Sequence, residues 1–553
     1  MTEETFDFVI VGAGSAGCVL ANRLSADGRN RVLVLEYGGS DRSVFIQMPS
    51  ALFIPLNWPR YNWGYVSEPE PNLGGRRINT PRGKVLGGSS AINGLVYIRG
   101  NPRDFDRWEE EGARGWAYRD VLPYFRRSET RAEGGDEYRG SSGPLHTRYG
   151  RLANPLYRAF IAAAREAGYP ETADVNGYQQ EGFGRFDMTV HHGRRWSAAS
   201  AYLRPAMRRP NVEVRTHALA TRIVFDGRRA TGVAYLRDGV PHLAHASREV
   251  IVSGGAINSP QLLKLSGVGP GAELGELGIP LVHDLPGVGE NLQDHLEFYF
   301  QVASKEPVTL FSATGLVSRT LVGLQWMTRG EGLGASNHFE AGGFIRSRAG
   351  VEYPDLQFHF LPLAVSYDGS GLAREHGFQV HVGPMRSKSR GTVRLAGPDP
   401  RAKPRIRFNY MSHPDDWTEM RAAVRLTREI FAQPAFDRFR GREIQPGGDV
   451  VSDEAIDAFI REKAESAYHP SCTCRMGRSD DRLAVVDAEA RVMGVERLRV
   501  VDASIMPSIV TGNLNAPTIM IGEKVSDMIL GRPPLPASNA PYYVAENWRT
   551  AQR

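Results

Sequence analysis

Residues 6–36 restrict the fold of this chain more than any other stretch. Phe6-Asp7-Phe8-Val9-Ile10-Val11 has the β-branched and aromatic run of a buried parallel strand. Gly12-Ala13-Gly14-Ser15-Ala16-Gly17 follows at once, Cys18 to Leu24 has helical spacing, and a second strand, Arg31 to Leu35, ends at Glu36. Strand, glycine turn, helix, strand and acid in that order make a dinucleotide-binding unit. Gly12 permits the tight turn, Gly14 lets a pyrophosphate approach the backbone, and Gly17 lets helix and strand pack closely. The helix N-terminus, with Ser15 and Ala16, then faces the anion. Glu36 is placed to accept hydrogen bonds from an adenosine ribose.

NAD and FAD both use such a unit. Two further glycine clusters separate them: Arg82-Gly83-Lys84-Val85-Leu86-Gly87-Gly88-Ser89-Ser90-Ala91-Ile92-Asn93-Gly94, and Gly254 to Pro260 with Leu265 to Gly269 behind the strand Glu249 to Val252. Both read as backbone laid against a flat ligand. A mononucleotide would not need three glycine-rich contact regions so far apart.

A chain of 553 residues with 41% hydrophobic content can bury one large core or two to three smaller ones. The 67 basic and 62 acidic residues are interspersed and leave a net charge of +5, which argues against a nucleic-acid partner and allows weak attraction to anionic lipid. No stretch reaches the roughly 18 uninterrupted apolar residues of a membrane span. No secretory signal is visible. With only Cys18, Cys472 and Cys474, a disulfide framework is not expected. The reading is a soluble cytoplasmic protein with room for peripheral contact at the inner face of the membrane.

Ser466 to Gly477 holds His469, Pro470, Cys472 and Cys474. It can be read as a metal loop, a thiol redox site or a general base held in place. Zinc sites usually present Cys-x₂₋₄-Cys with a second ligand pair and redox disulfides Cys-x-x-Cys, so Cys-x-Cys fits neither well. Small buried hydrophobes packing behind the loop are preferred for both thiols.

Together these motifs resemble the glucose-methanol-choline (GMC) oxidoreductases, flavoproteins that oxidise alcohols, from about residue 5 to 535. The resemblance implies an α/β fold in which a Rossmann-like FAD-binding domain (1–155, 200–300, 464–540) is interleaved with a sheet-and-helix substrate domain (156–199, 301–463). Residues 541–553 are left as a tail, with the Pro533 to Ser538 stretch marking the end of the packed domain. It implies FAD held by Gly12, Gly14, Ser15, Ala16, Gly17, Glu36, Arg82, Gly87, Gly88, Ser89, Asn93, Gly94, Asp502, Asn515, Pro517 and Thr518. His469 matches the family's active-site histidine and Asn513 its second catalytic position. A neutral imidazole can take the hydroxyl proton while the amide holds the oxygen and the flavin accepts the hydride.

Arg60-Tyr61-Asn62-Trp63, Asn291 to Glu297, Ala335 to Ser347 and Thr511 to Thr518 read like the choline-oxidising branch of that family. A quaternary ammonium has no hydrogen-bond donor, so aromatic faces, a carboxylate and shape must hold it. The likeness supplies Trp63 and Tyr468 as cage aromatics, Glu297 as the carboxylate, and His359, on the alternating stretch Asp355 to Phe360, as support for the alkoxide. His295 and His338 are read as structural. Ile92 stands where some choline oxidases tether FAD through histidine, and Gly94 where they carry serine. Both differences imply non-covalent FAD and a quinone-type or respiratory-chain electron acceptor. The expected reaction is oxidation of choline to betaine aldehyde, with onward oxidation to glycine betaine open. Uncharged primary alcohols are the alternative, and a flavin-bound lyase or non-catalytic flavoprotein the alternative from another class. Oligomeric state is not readable.

Overall fold

The computed structural model describes residues 3–366, 371–372 and 375–553. Two seven-stranded sheets organise them. In the first, Glu3–Val11 lies between Val32–Leu35 and Val240–Val252, all parallel, with Val9 opposite both Leu33 and Val250. Val212–Arg215 extends the parallel part beyond Val32–Leu35, and Leu498–Val500 pairs with Val240–Val252. The hairpin Ala218–Asp226 and Arg229–Arg237 adds an antiparallel edge. The central strands are buried on both faces, which is why they read as unbroken apolar runs rather than alternations.

The helix Ser15–Leu24 crosses from Glu3–Val11 to Val32–Leu35 and packs against Asn515–Ile529, where Gly522 lets the two approach: a Cβ there would lie 3.0 Å from Val19 Cβ. Asn515–Ile529 is buried on nearly every side, as its apolar composition requires. Its charged Glu523 is matched by Arg23 (2.7 Å) and Arg127 (2.9 Å).

The second sheet is antiparallel throughout, in the order Arg440–Gln445, Leu296–Ser304, Gly377–Pro384, Leu356–Leu361, Ala341–Ile345, Gly182–Arg185. Glu465–Ser466 pairs with the start of Leu296–Ser304. Leu296–Ser304 lies wholly in this sheet, so a domain edge at 300/301 would cut it. The helices Pro155–Glu166 and Pro414–Phe431 cover one face through Phe160, Phe431, Phe358, Phe360 and Phe378. The other face carries polar side chains of the site.

The C-terminal residues correct the expectation that packing ends at the proline-rich stretch. Beyond it Tyr542 hydroxyl donates to Asp106 (2.7 Å), Tyr543 N donates to Tyr178 O (2.8 Å) and Gly350 N donates to Trp548 O (2.7 Å), with Ala545 buried. Aromatic anchors spaced along an extended segment dock it without regular secondary structure, so no periodicity announces it.

Candidate active site

One cavity of about 2140 Å³, its open mouth included, runs from the first sheet to the second. At one end three helix N-termini meet: Ser15–Leu24, Gly255–Leu265 and Asn515–Ile529, with Gly14, Ser15, Gly255, Ala256 and Asn515 in the wall. Ser15 hydroxyl donates to Asn515 Oδ1 (2.8 Å), joining two of them. Convergent helix dipoles and unpaired N–H groups favour an anion such as a pyrophosphate. The backbone is drawn in where side chains would fill it. A Cβ on Gly88, at φ +52°, would stand 2.7 Å from Gly14 Cα, and one on Gly17 would stand 2.0 Å from Gly12 O. The residues therefore fit a dinucleotide such as FAD.

Glu36 ends Val32–Leu35 and lines this region, its oxygens accepting from Ala13 N (2.9 Å) and Gly38 N (2.7 Å). Burial raises its carboxyl to about 7, against those two backbone donors. Asp502 accepts from Ser259 hydroxyl (2.6 Å) and Gly255 N (2.8 Å), tying the chain after Leu498–Val500 to the start of Gly255–Leu265. Gly12, Arg82, Ser89, Asn93, Gly94 and Thr518 also line the cavity, as do Gly88 and Ala16. Three expected cofactor residues stand behind the wall: Gly17 packs on Gly12, Gly87 N donates to Ala13 O (2.8 Å), and Pro517 is buried in its helix.

At the other end the loop after Glu465–Ser466 is held rigidly. Tyr468 takes a left-handed φ of +66°, unusual for a residue with a Cβ, and its N donates to Ser466 Oγ (2.8 Å). Arg82 donates to the Tyr468 carbonyl, and His469 N donates to Asp294 Oδ1 (2.6 Å). Asp294 also accepts from the Ser466 and Tyr410 hydroxyls (both 2.5 Å), and burial raises its carboxyl to about 6. Cys472 and Cys474 lie fully buried behind the loop, where burial pushes the Cys472 thiol up to about 12 and raises Cys474 too.

The hydrogen-bond chain through His469 fixes its tautomer. Met385 O can only accept, so His295 Nε2, 3.0 Å away, carries a proton. Burial holds His295 down to about 3, so the ring is neutral and its Nδ1 is a lone pair. That lone pair lies 3.0 Å from His469 Nδ1, which must donate. His469 Nε2 is left unprotonated, 3.1 Å from Asn513 Nδ2. Because that unprotonated nitrogen can only accept, the Asn513 amide turns its N–H group to His469, leaving its Oδ1 3.2 Å from Gln357 Nε2 and 3.3 Å from His359 Nε2. Burial first, and then the positive charge of Arg82, hold His469 well below the usual histidine value.

Glu297, His359, Trp63 and Tyr468 line the same cavity as His469 and Asn513. Trp63 stacks on Tyr65, ring centroids 5.7 Å apart. His359 lies directly opposite His381 on the neighbouring strand, and its ring is held down to about 4 by burial. Glu297 Oε1 lies 3.0 Å from His381 Nδ1. Gln379 decides the direction of that bond: its Oε1 accepts from Val365 N and Gln301 Nε2 (2.8 Å each), so its Nε2 donates to His381 Nε2 (2.7 Å). His381 Nδ1 therefore carries the proton and donates to Glu297 Oε1. Tyr299 and Phe339 flank His381, at 4.3 and 5.4 Å between centroids, and complete an aromatic wall with Trp63 and Tyr468.

Sequence reasoning passes over Asp294, Gln357, Gln379 and His381 and takes His295 as structural; the geometry gives each a part in the site. Strand alternation holds part of the signal: 357 stands two residues before 359 and 379 two before 381, so each pair shares a face, while His295 lies just before the strand that carries Glu297. Among the described residues no group of three or more histidine, cysteine or acidic side chains could hold a metal ion, and no helix is long and apolar enough to cross a membrane.

Family models described as GMC oxidoreductase match residues 6–297 and 387–522. Among curated relatives, the oxygen-dependent choline dehydrogenases of Rhizobium meliloti (strain 1021) and Sinorhizobium medicae (strain WSM419) are 59% and 58% identical, each over 99% of this chain and 100% of theirs. Among solved structures, pyridoxine 4-oxidase from Mesorbium loti is 30% identical with a TM-score of 0.86, covering 95% of this chain and 99% of its own. A formate oxidase variant of Aspergillus oryzae RIB40, studied for modification of its FAD, is 26% identical with a TM-score of 0.89, covering 96% and 98%.

Proposed function

Because the chain belongs to the GMC oxidoreductases, FAD-dependent enzymes acting on alcohols, we propose that its substrate is choline and its product betaine aldehyde, with FAD held non-covalently. One observation carries the choice of substrate. The Gln379–His381 chain orients the carboxyl group of Glu297 in the cavity that also holds the His469–Asn513 pair, inside an aromatic wall. A trimethylammonium group needs that combination and a neutral alcohol does not. The names of the relatives at 58–59% identity support the same substrate.

When bound, FAD supplies the acceptor for the hydride. The chain supplies the rest. Gly12, Gly14, Ser15, Gly255, Asn515 and Thr518 would hold the dinucleotide, with Glu36 on the ribose. An alcohol oxygen seated beside both His469 Nε2 and Asn513 Nδ2, in place of their mutual hydrogen bond, would meet a lone pair from one and an N–H group from the other. His469 Nε2 takes the hydroxyl proton, and Asn513 steadies the developing oxyanion without competing for that proton. Ile92 offers no nucleophile to tether a flavin. With Gly94 nearby, the same proposal includes a quinone-type acceptor. The division into 1–155, 200–300 and 464–540 for FAD, against 156–199 and 301–463 for the alcohol, belongs to the same proposal, with Leu296–Ser304 spanning one edge.

Adding choline anaerobically to the purified enzyme is expected to bleach the flavin much faster than a neutral alcohol of similar size. Equal rates would move the assignment to uncharged alcohols, and no bleaching with either would favour a lyase or non-catalytic flavoprotein. A soluble quinone under argon is expected to sustain faster turnover than dioxygen alone; the reverse would make the enzyme an oxidase.

Gln379→Glu tests the hydrogen-bond chain. A carboxylate at 379 removes the donor to His381 Nε2 and draws a proton there, leaving a lone pair facing Glu297 or an imidazolium that neutralises it. KM for choline is expected to rise roughly tenfold or more, about 1.4 kcal/mol, with kcat on neutral alcohols little changed. Loss of kcat on both substrates would mean that Gln379 only supports the sheet.

FAD removal has a pH signature. In the folded chain without flavin Glu36 holds its proton up to about 7, above the ordinary 4.5 of the unfolded state. That contribution to stability therefore falls as pH rises from 4.5 through 7. Ribose hydroxyls favour the ionised form, so FAD affinity measured calorimetrically on deflavinated protein is expected to tighten as pH rises across that window. Glu36→Gln is expected to flatten the dependence; an unchanged slope would remove Glu36 from ribose recognition.

A further inference from the structure

The helix Leu316–Arg329 is amphipathic in the reverse of the usual sense. Its one buried residue is Trp326, whose indole nitrogen donates to Gly193 O (2.7 Å) and whose ring lies under Arg194. At about 100° per residue, Ser318, Val322 and Trp326 form a narrow inward seam. The outward pole opposite is Leu316, Val317, Thr320, Leu321, Leu324, Met327 and Thr328. Leu316 is 83% exposed, Val317 73%, Leu321 61% and Met327 58%. Both threonine hydroxyls on that pole turn back to the helix, Thr320 to Leu316 O (2.9 Å) and Thr328 to Leu324 O (2.8 Å). The surface offered outward is thus apolar even at its hydroxyl positions.

A second segment adjoins it. Gly334, just past the helix, packs where a Cβ would meet Trp326 Cβ at 2.6 Å and Met48 Cε at 2.8 Å. The stretch around Met48 exposes Phe45, Phe53, Ile54 and Trp58. Contiguous apolar surface on this scale marks an interaction site rather than chance exposure.

Charge identifies the occupant. Residues 43–66 and 315–330 contain no aspartate or glutamate, in a chain with 62 of them. Their only charged side chains are Arg60, Arg319 and Arg329, all exposed. Of the acids that flank the two segments, Asp41 is paired with Arg204 (2.8 Å) and Glu331 lies past the helix end. A second copy of the chain docked here about a two-fold axis would set arginine against arginine. An apolar face with arginines and no carboxylate is complementary to acyl chains beneath anionic headgroups. We propose that the helix Leu316–Arg329, with the adjoining Phe45 to Trp58 segment, is a docking surface for an anionic lipid bilayer, with the helix lying in the interface plane. Leu52 and Leu56 of the same segment line the catalytic cavity, so docking sets one wall of that cavity at the membrane.

Co-sedimentation of the full-length holoenzyme with vesicles tests this. Wild type is expected to pellet with phosphatidylglycerol–phosphatidylethanolamine vesicles and to bind phosphatidylcholine vesicles roughly tenfold more weakly. Leu321→Glu with Leu324→Glu is expected to reduce binding to both by about tenfold or more, and Arg319→Glu with Arg329→Glu to reduce only the anionic preference. Flavin absorbance and bleaching by alcohol report folding; should the glutamates prevent it, Leu321→Ser with Leu324→Ser replaces them. Binding unchanged in the leucine variants would overturn the proposal. So would a wild-type dimer in analytical ultracentrifugation that becomes a monomer in those variants while wild type ignores both vesicles.

Discussion

His469→Ala is expected to lower kcat/KM for alcohol oxidation by roughly 10²–10⁴-fold while FAD stays bound, read as the rate of anaerobic flavin bleaching. The geometry leaves the imidazole lone pair at Nε2, where it accepts from Asn513 Nδ2 until an alcohol hydroxyl takes that place. His295 maintains that state, because its own Nε2 proton is committed to Met385 O and its Nδ1 accepts from His469. His295→Leu is therefore expected to lower kcat with little change in KM, since it frees the tautomer and leaves the cavity wall intact. The active form of His469 is neutral, so activity is lost as pH falls through its pKa. Burial and neighbouring positive charge depress that pKa, which places the acid limb of the kcat/KM profile below the ordinary histidine value of about 6.5. A bleaching rate in His469→Ala equal to wild type would remove it as the base.

Glu297→Gln is expected to lower kcat/KM for choline by about 2–4 kcal/mol, or ~30–1000-fold, and to leave neutral alcohols nearly unaffected. The exchange conserves shape, and glutamine Oε1 can still accept from His381 Nδ1. What is lost is the charge, in a site where little water screens it. Equal losses on charged and neutral substrates would show that Glu297 shapes the cavity rather than recognising a cation. Its effect and that of His469→Ala separate cleanly, because the first depends on substrate charge and the second does not.

Several parts of the molecule are legible in the sequence because local chemistry decides them. The strand before Gly12 and the helix after it are observed at Glu3–Val11 and Ser15–Leu24. Glycines 12, 14 and 17 mark a turn that side chains would block. His469 stands out through its loop and its family resemblance. The partners that hold His469 and Glu297 are less legible, since His381 looks like any histidine on an alternating strand and His295 like any residue just before one. Their roles depend on what stands across the sheet, and pairing register is not local information.

The sequence by itself determined the dinucleotide-binding unit, the glycine-lined cavity and the identity of many residues facing it, because backbone sterics and strand or helix periodicity act over a few residues. Only the tertiary structure decided which nitrogen of His469 is free and which of His381 carries its proton. The first is set through His295 by Met385 O, 90 residues further along the chain, and antiparallel pairing is what brings the two together. The second is set by Gln379, only 2 residues from His381, yet its amide is oriented by Val365 and Gln301 on other strands. The same holds for the helix Leu316–Arg329, whose apolar residues only the folded structure shows turned outward.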